Sequence, residues 1–226
     1  LQLELNKEVW YENGYLFVAD DAVLCKINTT IAGWSVAQRH TAKGLLRLGI
    51  SNDVQVTSTS FGAHQLRDPE QVVTQVFGSA CPITYNHHTD PANWEGLARL
   101  VLEASYEGAF WASLHQSHKH NNEHGSNKLF LTLLGNGVFG NPTSWVIDAI
   151  KETLLLFATT SVDVYIVSYM SILPELHELS RRDATPEEVA EWQEKELNWW
   201  ADKQLLVVAL ASIVQFSALA FMLSTF

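Results

Sequence analysis

Positive charge is scarce in this chain. Lys and Arg number 14 against 25 Asp and Glu, leaving a net charge of −11 over 226 residues. Its longest basic run is the pair Arg181-Arg182. Neutralising a phosphate backbone takes a basic patch or stripe, so nucleic acid is not an expected partner. Cysteine is equally sparse. Cys25 and Cys81 form no spaced metal motif and fit a reducing compartment. A Gly-x-Ser-x-Gly elbow and a Cys–His signature are both missing, so the usual covalent hydrolase machinery is not visible. At the start there is neither an n-region nor an apolar h-region, hence no visible signal peptide. The opening Leu1 in place of Met reads as a fragment with sequence lost upstream. Apolar residues, by contrast, are plentiful at 47%, enough to fill a core. The length suits one domain with an appendage.

The stretch from Asn127 to Trp145 carries the most information. An apolar run, Leu129 to Leu134, ends in three glycines within six residues, Gly135, Gly137 and Gly140. Asn141 then offers a helix N-cap with Pro142 at the first helical position. Beyond it, Trp145, Ile147, Ile150, Leu154 and Phe157 recur at the spacing of a half-buried helix. A β-branched run follows at Val162–Val167. Strand, glycine loop, helix and strand make a βαβ unit, with its loop where open α/β sheets bind ligands. Bare amides at a helix start suit an anion, phosphate above all. The competing reading is a turn whose glycines serve only close packing. No Lys follows the last glycine, so this is not a Walker loop, and it is not read as the dinucleotide fingerprint.

Gly137-Val138-Phe139-Gly140 with Pro142 resembles, in order, the Ser-Thr-Gly-Ile/Val-Tyr/Phe-Gly-Tyr-Pro loop of the macrodomain family. A helix before the strand and the Val162–Tyr169 strand after it also fall where that family places them, over roughly residues 70–170. The resemblance implies a mixed sheet flanked by helices and a loop that wraps the diphosphate of ADP-ribose. Carried over, the ligand-binding set is Gly135, Asn136, Gly137, Val138, Phe139, Gly140 and Asn141. Gly137, Val138 and Gly140 would supply amides, and Phe139 an apolar wall beside the distal ribose. Gly135-Asn136 replaces the Ser-Thr of the family, so two hydroxyls are missing. Also missing is an Asn-Ala-Ala-Asn segment, which in the family helps to hold the distal ribose. No catalytic base is therefore assigned. If the chain is an enzyme, the implied reaction is hydrolysis of an ADP-ribosyl linkage by water at the anomeric carbon.

The rest of the chain fits around this unit. Trp10, Tyr11, Tyr15 and Phe17 flank the turn Asn13-Gly14, predicting a short hairpin or edge. Residues 20–48 read as helical. Val54–Thr57 and Val72–Phe77 read as strands, the second ending at Gly78-Ser79. Its end is expected to border the glycine loop, which makes Gly78, Ser79 and Tyr85 second-tier ligand contacts. Asp90-Pro91 opens a helix whose buried stripe runs through Trp94, Leu97, Ala98, Val101, Leu102, Ser105 and Ala109 and frays by Ser117. Glu103, Glu107 and Asp148 are read as members of solvated helix faces. His115, His118, His120 and His124, with Glu123, match no closed zinc spacing and read as a His-rich loop; His87-His88 and His64 are read likewise. Neither a metal nor a cofactor is expected.

Past Tyr169 the composition changes. Residues 172–203 hold nine acids against four bases, with Thr185-Pro186-Glu187-Glu188 as a helix start, and predict a charged stalk. Residues 205–226 carry no charge and, as a helix, would span about 33 Å, enough for a bilayer core. Trp199-Trp200 stand before them as an interfacial anchor would. Three parts are thus expected: an α/β domain over 1–171, a stalk over 172–203 and a transmembrane helix over 204–226, a tail anchor with the domain in the cytosol. Expected partners are ADP-ribose or an ADP-ribosylated protein and, through 204–226, a lipid bilayer. The alternative is a membrane-anchored interaction protein whose α/β domain binds no ligand.

Overall fold

The computed structural model describes residues 8–59, 64–123, 125–167 and 173–176. Residues 172 and 177–203 of the expected stalk, the transmembrane segment and His124 lie outside the described residues. Among the described residues, no helix is long and apolar enough to cross a membrane.

A hairpin comes first, β1 (Val9–Glu12) and β2 (Tyr15–Val18). Asn13 and Gly14 both adopt positive φ, 51° and 84°, as a two-residue turn matching the strand twist requires. Trp10 and Phe17 face each other across it and stack. The segment expected to be helical resolves into two helices. α1 (Asp21–Ala32) begins at Asp20, whose carboxylate accepts from the Val23 amide at 3.0 Å. It buries Val23, Leu24, Ile27 and Ile31, one side of a helix. α2 (Val36–Lys43) starts from a Ser35–Gln38 capping box, yet none of its eight described residues is buried.

β3 (Gly49–Gln55) begins five residues before the strand expected at Val54. It pairs antiparallel with β6 (Val72–Phe77) through a bulge at which Asp53 takes φ 55°. β4 (Ser58–Thr59) and β5 (His64–Gln65) form a second short antiparallel pair. As expected, Asp90 caps a helical turn with Pro91 leading, a 3-10 turn that runs straight into α3 (Glu95–Lys119). The βαβ unit follows: β7 (Lys128–Thr132), α4 (Thr143–Leu156) and β8 (Asp163–Val167), with the two strands parallel. A right-handed crossover through a helix is the way parallel neighbours are joined.

The protein is therefore mixed α/β, with small sheets and helices. Among the described residues the strands pair only two by two. One core links the β1–β2 and β7–β8 pairs to the helices, and no residue of β3, β4, β5 or β6 belongs to it. Trp94, Leu102, Tyr106 and Phe110 of the central helix region meet Leu24 and Ile27 of α1, Val146 and Ile150 of α4, and Leu129 and Leu131 of β7. Each such side chain contributes about 1.5–3 kcal/mol by leaving water, and together they hold β7 over α3.

Candidate functional site

The glycine loop is fixed from below by one tyrosine. Tyr106 of α3 is buried, and its hydroxyl donates to the Thr132 carbonyl at 2.8 Å while accepting from the Leu134 amide at 2.9 Å. That single oxygen satisfies the last carbonyl of β7 and the first amide of the loop. Burial pushes the phenol up to about 12, so it stays protonated and able to donate. Nothing in the sequence pattern marked Tyr106 beyond its place in an apolar helix.

Asn141 closes the far end. It is 2% exposed, and its side-chain amide donates to the Cys81 carbonyl at 2.8 Å and to the Gly135 carbonyl at 3.2 Å. Its backbone amide also returns to Gly135, at 2.9 Å. Asn141 is thus a brace and not the helix N-cap expected for it. The cap position falls to Pro142, without a side-chain bond, and α4 begins at Thr143. The reason is competition: the Asn141 side chain is buried and finds its acceptors in the Cys81 and Gly135 carbonyls, whereas the first amides of a helix can turn to solvent instead.

The three glycines play different parts. Gly135 and Gly140 have φ of +68° and +74°, and a Cβ would collide with the Ala80 and Asn141 side chains at the first and with the Thr84 methyl at the second. Gly137 has neither constraint, for its φ is not positive and nothing lies within 4 Å of where a Cβ would sit. The amides divide as well. Gly140 donates to the Gly137 carbonyl at 3.0 Å, which occupies one of the three donors expected to reach a ligand. The amides of Gly137, Val138 and Phe139 have no hydrogen-bond partner among the described residues. The Asn136 side chain donates to the Thr143 hydroxyl at 2.7 Å and ties the loop to the first turn of α4.

The end of β6 does border this loop. Gly78 lies against Leu134 and Ser105, and the exposed Ser79 gives its carbonyl to the Ser105 hydroxyl at 2.8 Å. Next in the chain, Thr84 donates from its amide to the Phe139 carbonyl at 3.1 Å and from its hydroxyl to the Val138 carbonyl. Tyr85 meets Phe139 edge to face, with centroids 5.6 Å apart, and Tyr15 of the hairpin meets both, at 5.0 and 5.8 Å. Tyr15 was legible only as one of several aromatics near a turn.

A second cluster lies between α2, α3 and α4. Glu103 is not on a solvated face as expected: it is 8% exposed, and Arg39 grips it through Nη2 at 2.7 and 2.9 Å and Nε at 3.3 Å. Lys43 pairs with Glu107 at 2.7 Å, and Asp148 with Arg99 at 2.8 Å. Glu152, exposed as a residue, has a carboxyl crowded into this cluster. Desolvation first and then the Glu103 charge hold its pKa above the usual 4.5. The Arg39 and Lys43 pairs hold α2, which buries nothing of its own, onto α3, and the Arg99–Asp148 pair joins α3 to α4. Among the described residues no group of His, Cys, Asp and Glu could hold a metal ion. The thiol of Cys81, pushed up to about 12 by burial, is inert at neutral pH.

Gly135, Gly137 and Gly140 also fall at the Gly-x-Gly-x-x-Gly spacing, so spacing alone does not set the dinucleotide fingerprint aside. Geometry separates the two. That fingerprint opens its helix within the glycine run and packs the third glycine against the strand, whereas here α4 waits until Thr143 and Gly140 remains in the loop at positive φ. Nor does the chain place an acid at the carboxyl end of β8, where Ser168 and Tyr169 follow Val167. No family model, curated protein or solved structure matches the chain.

Proposed function

We propose that this chain is a macrodomain-like module that binds ADP-ribose, or a related nucleotide diphosphate, at residues 135–141. Gly137 carries the reading. A glycine there is needed neither for backbone conformation nor for packing. What it does provide is bare backbone beside two further unpartnered amides, an approach open to an anion. Charge-assisted bonds from those amides would hold the diphosphate, and the first turn of α4 would add about 0.3–1 kcal/mol through its dipole. Phe139 would wall the attached sugar. A tether to a membrane through residues 204–226, with the domain on the cytosolic side, belongs to the same proposal and rests on the sequence.

Calorimetric titration of ADP-ribose into the full chain, beside a Gly137→Glu variant, tests it. Heat from the parent and none from the variant is the expected result. NAD serves as the control for a dinucleotide site and should bind more weakly than ADP-ribose. A folded parent that binds neither ligand would instead favour an interaction protein without a ligand.

A further inference from the structure

The β1–β2 hairpin is built into the same wall as the glycine loop. Asn86, 1% exposed, accepts from the Val18 amide at 3.1 Å and donates to the carbonyls of Leu16 and Pro82 at 3.1 and 3.0 Å. One buried side chain thus fastens β2 to residues 82–86. Two positions before Asn86, Thr84 holds the carbonyls of Val138 and Phe139. Hairpin, intervening turn and loop are therefore linked by hydrogen bonds through adjoining residues, and the hairpin cannot shift without disturbing the loop.

Tyr15 stands at the edge of that assembly. Its ring meets Tyr85 and Phe139 at interplanar angles of 87° and 81°, so its apolar body is held in place. Tyr15 is nevertheless 38% exposed, and its hydroxyl has no hydrogen-bond partner among the described residues. A fixed aromatic body with a wet, unpartnered hydroxyl suits contact with a sugar, whose ring packs on the body while a hydroxyl bonds to the tip. Tyr15 touches Phe139, whose own amide, like that of Val138 before it, is partnerless among the described residues.

The geometry points to Tyr15 as a specificity-determining residue that favours a diphosphate carrying a sugar over a bare diphosphate. This rests on the diphosphate-binding reading of the loop. In this division, the amides of 137–139 take the charge that all such ligands share, and Tyr15 reads what is attached. A purely structural Tyr15 would steady the hairpin without changing that preference.

The test is titration of ADP-ribose into the full chain, with inorganic pyrophosphate as competitor, for the parent, Tyr15→Phe and Tyr15→Leu. Thermal melts of each accompany it. Tyr15→Leu should weaken ADP-ribose about ten-fold and leave pyrophosphate unchanged, with Tyr15→Phe in between. Equal loss for both ligands, or no loss for either, would overturn the assignment to Tyr15 and leave the loop reading standing. A parent that binds ADP-ribose without competition from pyrophosphate, or binds neither, would overturn the loop reading and the inference with it.

Discussion

The buried side-chain amide of Asn141 reaches the carbonyl of Cys81 at 2.8 Å across 60 residues of sequence. This bond joins the segment after β6 to the loop before α4. Removing the side-chain amide would lose two hydrogen bonds, to Cys81 and to Gly135, leaving the first carbonyl only the Ile83 amide at 3.0 Å and the second only the Asn141 backbone amide at 2.9 Å. Asn141→Ala is therefore expected to cost about 1–3 kcal/mol, read as a lower denaturation midpoint in urea. Asn141→Asp should be no better, because a carboxylate has no N–H to donate. An aspartate variant as stable as the parent would show that the bond is not what holds the loop.

The glycines should separate by role. Gly135→Ala and Gly140→Ala each place a Cβ at positive φ and into a neighbouring side chain, so each should lower stability by at least about 1 kcal/mol. Gly137→Ala meets no neighbour and should leave the melting temperature unchanged or slightly higher. Thermal melts of the three variants check this. A Gly137→Ala variant as unstable as the other two would remove the reason for assigning Gly137 to a ligand.

Acid should act through Glu152. Desolvation and the neighbouring Glu103 raise its pKa in the folded chain, against the partial relief of Arg39, Lys43 and Arg99. The folded state thus binds this proton more tightly than the unfolded chain does. Its stabilising contribution is full below the ordinary value of 4.5 and is lost as pH rises through the raised one. Glu152→Gln, which cannot ionise, should be more stable than the parent at pH 7, and the difference should shrink by pH 4. Urea melts at both pH values read it, and a variant less stable than the parent at pH 7 would contradict the sign.

The fold was legible where local signals agreed. Asn13-Gly14 marked the hairpin, Asp90-Pro91 the start of the long helix region, and the β-branched run after α4 its parallel partner strand. Long-range hydrogen bonds were not legible. Asn141 reads as a helix cap because the local chain offers nothing else for it to do, and the Cys81 carbonyl that recruits it is distant in sequence. Glu103 looked solvated for the same reason: its partner Arg39 lies on a helix with no buried residue of its own to announce the contact. At the candidate site the glycines were visible, but not their division into two that the fold needs and one that it does not. Tyr15 and Tyr106 act through packing across the chain, which no spacing rule registers.

The proposed function stands or falls on whether the amides of Gly137, Val138 and Phe139 receive a diphosphate. Amide chemical shifts of the isotope-labelled chain, followed through a titration with ADP-ribose, test it residue by residue. Saturable shifts centred on those three amides are expected, with smaller ones at Gly140 and Asn141, whose amides already donate within the loop. Saturable shifts centred elsewhere, or none at these residues at millimolar ligand, would contradict it.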